Sequence, residues 1–290
     1  MSTFIGTVLL GLLAGAVYGL FSVGLSLVFG VMKLVNFAYG DFVTLGMLIV
    51  YQFTVITKVN GYYSFPVVII CMSLLAVVAY FLCFAGRSGR RATGFDQLVA
   101  TVALSAIIET LVQDGFGDNA KTLPGQSNST INLWGTFLPV PQVVAFFLTL
   151  VLVVLFEIVL VKTSIGRSVR AIVADREVAE MHGINAKRLA LLCFTLSCVL
   201  AGLAGYMLVQ YYPVDATAGQ TFLIIGFVCV LVGGLGDTRG AFITGLVIGA
   251  VESISAVYWS VGLADVPVYA IFILATIIRP NGLLGRSVAE

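Results

Sequence analysis

The residues with the clearest chemical potential lie in one short charged segment, "ADREVAEMHGINAKRL" (174–189), inside an otherwise apolar chain. This segment contains His182, the only histidine of the protein, together with several carboxylates. A Ser–His–Asp hydrolase would need its histidine beside a nucleophile in an ordered site. His182 instead lies in the most charged loop of the chain, so we interpret the segment as a surface rather than a catalytic centre.

A short helix is predicted within this charged segment. Asp175 suits an N-cap, Glu177 places negative charge in the first turn, and Gly183 supplies a left-handed stop. An apolar stripe is formed by Ala174, Val178 and Met181. The other faces carry Arg176, Glu177 and Glu180. A helix of two turns is unstable alone in water, so we expect it to dock either on its own bundle or in the cleft of a partner protein.

Carboxylates inside apolar segments form the second group of candidate residues. An ionisable side chain is costly in a bilayer and indicates a function by default. The candidates for lining a translocation pathway are Asn36, Tyr39, Asp41, Glu109 and Glu252. Each carboxylate has a structural alternative as a buried group paired with an amide, a hydroxyl or a cation, and Asn36 or Asp41 would also suit a helix cap. Glu157 lies near the inner end of its segment, close to Lys162.

An intramembrane aspartyl protease is a remote alternative. The sequence "GLGD" (234–237) resembles the GxGD motif of that class, with Asp41 as the partner carboxylate. However, Gly40 separates Tyr39 from Asp41, the Pro-Ala-Leu motif is absent, and Asp237 is predicted at a cytoplasmic turn. The chain also lacks the G-x-x-x-x-G-K-[ST] pattern of a phosphate-binding loop. With one histidine and no C-x-x-C pair, the sequence predicts neither a metal site nor a cofactor in this chain.

The elements that carry these residues are predicted to be membrane-spanning helices. The composition is 60% hydrophobic and 10% charged, with a mean hydropathy of +1.08, whereas a soluble domain has about 25% charged residues. The sequence therefore predicts one all-α, polytopic transmembrane domain over 1–290 with about eight or nine crossings. The candidate spans are 4–30, 38–57, 66–86, 96–113, 141–161, 189–211, 220–235, 240–259 and 264–279. A net charge of +1 gives no reason to expect nucleic acid as a partner.

The distribution of basic residues predicts the orientation. With the N-terminus outside, every lysine and arginine except Lys58 and Lys121 falls on the cytoplasmic side, as the positive-inside rule requires. The C-terminus is then cytoplasmic, with an external loop at about 114–140 and a cytoplasmic loop at about 162–188. Small residues repeat every four positions and predict close helix contacts: Gly11, Gly15 and Gly19, and again Gly245 and Gly249.

Four stretches carry a resemblance to a known family. "GRSVRAIVADREVAEMHGINAKRL" (166–189) closely resembles the cytoplasmic loop of the membrane permeases of branched-chain amino acid ABC importers. "GAVYGLFSVGLSLVFGVMKLVNFAYGDFVTLG" (15–46) and "VLVGGLGDTRGAFITGLVIGAVES" (230–253) are similar to its first and late conserved blocks. "IIRPNGLLGR" (277–286) looks like its C-terminal signature. The order of these blocks and the length favour the shorter, LivH type of permease.

The resemblance implies an importer subunit in a bacterial or archaeal cytoplasmic (inner) membrane. Its expected partners are a second homologous permease, two ABC ATPases that bind ATP and Mg²⁺, and an extracytoplasmic binding protein that delivers the solute. The segment from Asp175 to Gly183 is expected to seat in the ATPase. Related permeases move urea, short amides and other small polar solutes, so these remain alternatives to branched-chain amino acids. A stand-alone secondary carrier would need no such cytoplasmic surface.

Two departures from the family pattern are visible. The family often has histidine where Tyr39 stands. After the third span the family shows a proline-containing basic stretch, whereas this chain has "AGRSGRR" (85–91), which keeps the basic charge without the proline.

Overall fold

The structure is a computed structural model that describes residues 2–84, 94–117, 119–124, 129–133, 136–259, 261–279 and 282. The basic stretch 85–91 lies outside these residues. The α-helices are α1 Ser2–Met32, α2 Tyr39–Thr57, α3 Phe65–Cys83, α4 Gly94–Phe116, α5 Val140–Lys162, α6 Ser164–Ala174, α7 Arg176–Met181, α8 Ala186–Leu208, α9 Ala218–Gly233, α10 Thr238–Tyr258 and α11 Val266–Ile278. Single turns of 3-10 helix cover Gly61–Ser64 and Val261–Leu263.

The predicted all-α membrane bundle is confirmed. In the described part of the chain, seven helices are long and apolar enough to cross a bilayer: α1, α2, α3, α4, α5, α8 and α10. The two further predicted spans appear as α9 and α11, which have 16 and 13 residues. Both are shorter than the roughly 20 residues that a perpendicular crossing needs.

The segment at about 114–140, which we predicted to be an external loop, contains regular structure. Helix α4 continues to Phe116, and an antiparallel hairpin follows, with strands β1 Thr130–Leu133 and β2 Thr136–Pro139. Thr130 pairs with Pro139, and Ile131 pairs with Leu138. The physical reason is composition, because β-branched and aromatic residues favour extended backbone even between polar neighbours.

Helices α1 and α10 pack antiparallel through the predicted glycine faces. A Cβ added to Gly11 would lie 2.6 Å from the Gly249 carbonyl oxygen, and one added to Gly15 would lie 2.7 Å from that of Gly245. Such contacts leave no room for a side chain, so the two backbones touch directly. The prediction of close helix contact at these glycines is confirmed.

Helix α8 lies at the centre of the bundle and packs on α1, α2 and α3. The most apolar 18-residue windows of α1 and α8 are 67% and 72% buried within the protein, whereas those of α4 and α5 are 11% and 17% buried. Because α5 is also the most hydrophobic span, its exposed apolar surface is suited to lipid rather than to water.

Helices α2 and α9 both begin inside the bundle. The Tyr39 hydroxyl lies 3.1 Å from the Phe21 carbonyl oxygen and 3.0 Å from that of Ser197, and these two residues are near the middle of α1 and α8. At the same level Gly40 and Gly219 meet backbone to backbone. The mid-depth start of α9 explains its short length.

The loops and helix ends gather in two groups at opposite ends of the bundle. At one end the Phe4 and Tyr258 rings are 6.4 Å apart, and Lys121 pairs with Val214 through 2.8 Å backbone hydrogen bonds. At the other end the Tyr80 hydroxyl donates to the Lys187 carbonyl at 3.3 Å. Helices α6 and α7 belong to this second end, which we call the α7 end.

Candidate functional site

The helix predicted in the charged segment is present as α7 and has the predicted cap. The Asp175 side-chain oxygen Oδ1 accepts hydrogen bonds from the backbone N–H groups of Glu177 and Val178 at 2.8 and 3.1 Å. Gly183 has φ +83°, a left-handed conformation that commonly ends a helix. Glycine adopts this conformation with little strain because it has no Cβ. The boundaries proposed from sequence are therefore confirmed on both sides.

Both ends of α7 are tied to the membrane helices. On its N-terminal side, α6 packs tightly against the end of α5, where Gly166 meets the Leu160 carbonyl. On its C-terminal side, the Ile184 N–H donates to the Ala179 carbonyl at 3.2 Å, and the Asn185 side chain caps α8. Helix α7 is therefore linked to α5 through α6 and to α8 through the short segment 182–185.

The surface of α7 is almost entirely exposed, and Ala179 is its only buried residue. Met181 is 84% exposed and Val178 is 49% exposed. The predicted apolar stripe is therefore exposed, and α7 packs on the chain's own helices α6 and α8 through Ala179. Arg176 and Glu180 form a 3.0 Å ion pair one turn apart. The His182 ring Nδ1 lies 2.8 Å from the Val178 carbonyl at the exposed helix end.

A second candidate site lies where α2 and α9 begin, against α4; we call it the mid-bundle junction. Its polar members are Asn36, Asp41, Thr44, Ser105, Glu109 and Gln220. The Gln220 side-chain amide donates to the Glu109 carboxylate at 2.8 Å. The Ser105 hydroxyl hydrogen-bonds to the Asp41 carboxylate, and Glu109 lies near enough to act on Asp41 through its charge. The structure thus brings Asp41 and Glu109 together.

Part of the junction was not found from sequence. Helix α4 carries polar side chains at every fourth position, and three of them reach the neighbouring elements: Thr101, Ser105 and Glu109. Thr101 accepts a 3.4 Å hydrogen bond from the Phe37 N–H. Residues four apart lie on one face of a helix. The four-residue spacing of polar side chains in the sequence of α4 could therefore have predicted a polar face on this apolar helix.

Several polar atoms in the junction are buried without a hydrogen-bond partner among the described residues: Asn36 Nδ2, Asp41 Oδ2 and Thr44 Oγ1. Asn36 uses its other side-chain atom, Oδ1, to accept from the Ala38 N–H at 3.1 Å, and Asp41 lies in the first turn of α2. Asn36 thus organises the turn that leads into α2. Unsatisfied buried groups are rare in folded proteins, and Thr44 Oγ1 lies beside the backbone contact of Gly40 with Gly219.

Tyr39, also a pathway candidate, is fully buried. Its ring stacks near that of Phe21 at 4.6 Å between centroids, and its hydroxyl reaches the carbonyls of α1 and α8 described above. In this conformation Tyr39 joins three helices at one point.

Glu252 lies apart from the junction, between α1, α9 and the end of α8. The Tyr18 hydroxyl is 3.4 Å from the Glu252 carboxylate, which is long for an O–H···O bond. The Tyr18 ring packs beside Phe222 at 6.1 Å. The Tyr211 hydroxyl nearby is buried without a partner among the described residues. The sequence prediction named Glu252 but missed these tyrosines.

The carboxylates needed for the protease alternative do not meet. Asp237 accepts from the N–H groups of Arg239 and Gly240 at 3.0 and 3.2 Å and caps α10. Asp41 lies beside the start of α9 and Asp237 follows its end, which places them about 20 Å apart by the helix rise. In the described part of the chain no group of three or more His, Cys, Asp or Glu residues is arranged to hold a metal.

Comparison with known proteins agrees with this architecture. LivH of Salmonella typhimurium, named a high-affinity branched-chain amino acid transport system permease protein, is 26% identical, over 97% of this chain and 95% of its own. BraD of Pseudomonas aeruginosa, with the same description, is 25% identical over the same shares. A solved structure of PsaBC from Streptococcus pneumoniae in complex with Fab has a TM-score of 0.54 at 10% identity, covering 94% of this chain and 91% of that one.

The similarity to the PsaBC structure concerns the fold alone. The family described as "Branched-chain amino acid transport system / permease component" matches residues 7–276, nearly the whole chain. The chain therefore belongs to this family of membrane permeases, and it is a multi-pass transport subunit rather than an enzyme.

Proposed function

We propose that this chain is a permease subunit of an ABC importer for branched-chain amino acids. The observation that carries this proposal is α7, a capped helix that exposes Val178 and Met181 together with Glu177 and the Arg176–Glu180 ion pair. The similarity to LivH and BraD along almost their whole length supports the substrate class. In this proposal ATP and Mg²⁺ are bound by two separate ATPases, and a binding protein delivers the solute to a pair of permeases.

The coupling step follows from the attachments of α7. An ATPase that grips Val178 and Met181 through an apolar cleft, with basic side chains near Glu177 and Glu180, displaces α7 when its nucleotide sites close. The movement passes into α8, which begins five residues after α7 ends. Ser197 on α8 contacts the Tyr39 hydroxyl. Helix α8 thus links the ATPase surface to the start of α2.

The translocation step takes place at the mid-bundle junction. When α2 and α9 separate at Gly40 and Gly219, the polar face of α4 becomes accessible to water and solute. Asp41 and Glu109 then offer carboxylates for an ammonium group, and the Asn36 amide offers a donor for a carboxylate group. Urea or a short amide remains the alternative solute, since amide groups suit the same polar atoms.

The orientation in this proposal has the α7 end in the cytoplasm, with the N-terminus outside and the C-terminus inside. It agrees with the excess of lysine and arginine at that end. A stand-alone carrier is less consistent with the chain, because it has no use for an exposed docking helix between α5 and α8.

Charge reversal on α7 tests the proposal. We expect the double variant Glu177→Lys/Glu180→Lys, reconstituted with its ATPases, second permease and binding protein, to lose solute-stimulated ATP hydrolysis by about tenfold or more, because like charges would face each other in the cleft. The matched control is Asp114→Lys, which reverses an exposed carboxylate at the opposite end of the bundle. Full stimulation in the double variant would contradict the role of α7.

A further inference from the structure

A groove opens on the side of the bundle where α1, α5 and α10 meet. Its volume is about 260 Å³, and its walls are mainly apolar: Val23, Val153, Phe156, Phe242 and Ile243. The groove belongs neither to the mid-bundle junction nor to α7. Ile243 in its wall is 49% exposed, so the groove is open to the membrane.

An ion pair lies at the rim of this groove. Arg239 Nε donates to the Glu157 carboxylate, and the two side chains are 68% and 28% exposed. An arginine has five N–H donors in a planar fork, and Nε is only one of them. The rim therefore presents a positive group and a negative group side by side, with donor and acceptor capacity facing outward.

The pair lies close to the ends of both helices. Glu157 precedes Lys162, the last residue of α5, by five residues, and Arg239 is the second residue of α10. Five residues of helix correspond to about 7.5 Å, and the headgroup layer adds about 5 to 8 Å on each side of the hydrocarbon core. The charged rim thus lies within about one headgroup-layer thickness of these helix ends, with the apolar groove extending from it toward the bundle centre.

We infer that this groove binds one phospholipid with a primary-amine headgroup, such as phosphatidylethanolamine. The phosphate lies beside the Arg239 guanidinium, the ammonium donates to the Glu157 carboxylate, and an acyl chain occupies the groove between α1 and α5. Charge complementarity selects this lipid. A purely anionic headgroup is repelled by Glu157, and a choline headgroup has no N–H to donate.

Lipid binding to the purified full chain provides the test. Detergent-solubilised protein is incubated with phosphatidylethanolamine, phosphatidylglycerol or phosphatidylcholine of identical acyl chains, and the bound lipid is counted by native mass spectrometry. We expect phosphatidylethanolamine to be retained about fivefold more than either other lipid, which is within the range of a partly exposed ion pair. Equal retention of the three lipids would overturn the inference.

Variants of the rim and wall separate the contributions. Glu157→Gln keeps the shape and should abolish the preference for the amine headgroup, whereas Arg239→Gln should lower retention of all phosphate headgroups. Val153→Trp fills the groove and should lower retention of every lipid. The matched control, Arg167→Gln, removes another exposed arginine, on α6 at the same end of the bundle, and should leave lipid retention unchanged.

A second copy of the chain is the competing occupant of the groove. If Val153→Trp converts a dimer to a monomer while the lipid preference is unchanged, the groove is a protein interface and the inference is wrong. If Val153→Trp fails to fold, the isosteric Glu157→Gln variant still decides the test. An unchanged lipid preference in Glu157→Gln would by itself overturn the proposal.

Discussion

The α7 surface and the mid-bundle junction use charge in opposite ways. On α7 the charged groups are exposed, one ion pair is formed in water, and the apolar stripe is uncovered. At the junction, Asn36, Asp41 and Thr44 are buried, and each has one polar atom without a partner among the described residues, whereas Gln220 at the junction's edge is exposed. The exposed surface can change its partner at small cost, whereas the buried junction can change only if helices move.

This contrast predicts different sensitivities in the two regions. Changes at the junction should affect folding or transport directly, and changes on α7 should affect coupling while leaving the fold intact.

The largest effect is expected from Gly219→Val. Any Cβ at this position meets the backbone of Gly40, and overpacking a well-packed core costs about 1–3 kcal/mol or more where no side chain can yield. We expect loss of the monodisperse peak in size-exclusion chromatography. Gly115→Ala is the control, since nothing lies within 4 Å of its added Cβ, and its stability should be unchanged or slightly higher. A well-folded Gly219→Val protein would show that the junction is looser than described.

The next effect is expected from Asp41→Asn. The amide keeps the size of the side chain but removes a carboxylate from a pathway that we propose to bind a solute ammonium. We expect transport in proteoliposomes to fall about tenfold, the equivalent of about 1.4 kcal/mol, with normal assembly of the complex. An Asp41→Asn complex that assembles and transports at the full rate would remove this residue from the pathway.

A smaller effect is expected from Asp175→Ala. Loss of an N-cap costs about 1 kcal/mol of local helix stability, and α7 lies at the edge of the fold. Hydrogen exchange within Arg176–Met181 should therefore accelerate about fivefold, with a partial loss of coupling and no change in the melting temperature. Asp175→Ser, which restores a capping oxygen, should recover both exchange and coupling. If Asp175→Ser restored slow hydrogen exchange but not coupling, coupling would not depend on the N-cap.

The smallest effect is expected from Arg176→Gln. Its ion pair with Glu180 is exposed on both sides, and such pairs contribute little. We expect transport and coupling to change by less than about twofold in the reconstituted complex. A large loss would mean that Arg176 itself contacts the ATPase, and would enlarge the docking surface.

The sequence predicted those features that depend on local pattern. The caps of α7 follow from Asp175 and Gly183 alone, and the glycine repeats predict close backbone contact. The glycine repeats do not predict which helix each one packs against, because a face of small residues fits any similar face at the same depth. That Gly11 faces Gly249 depends on the whole arrangement of the bundle.

Features that depend on depth were beyond prediction. Hydropathy identifies an apolar helix but not the level at which it begins, so the mid-depth starts of α2 and α9 have no signature in composition. Glu157 was placed near Lys162 along the chain, yet it pairs with Arg239, 82 positions away. Tyr18 of α1 and Tyr211, which lies in the turn after α8, likewise meet near Glu252 only in the folded bundle.

The central claim is that α7 docks on an ATPase, and photo-crosslinking tests it most directly. A photoreactive phenylalanine analogue is placed at Met181, and separately at Phe147, which is 62% exposed on the apolar face of α5. The complete transporter is irradiated in membranes with and without ATP. We expect docking of α7 to give a nucleotide-dependent crosslink from position 181 to the ATPase and none from position 147. Absence of any ATPase crosslink from position 181, in a complex that hydrolyses ATP and transports solute, would contradict it.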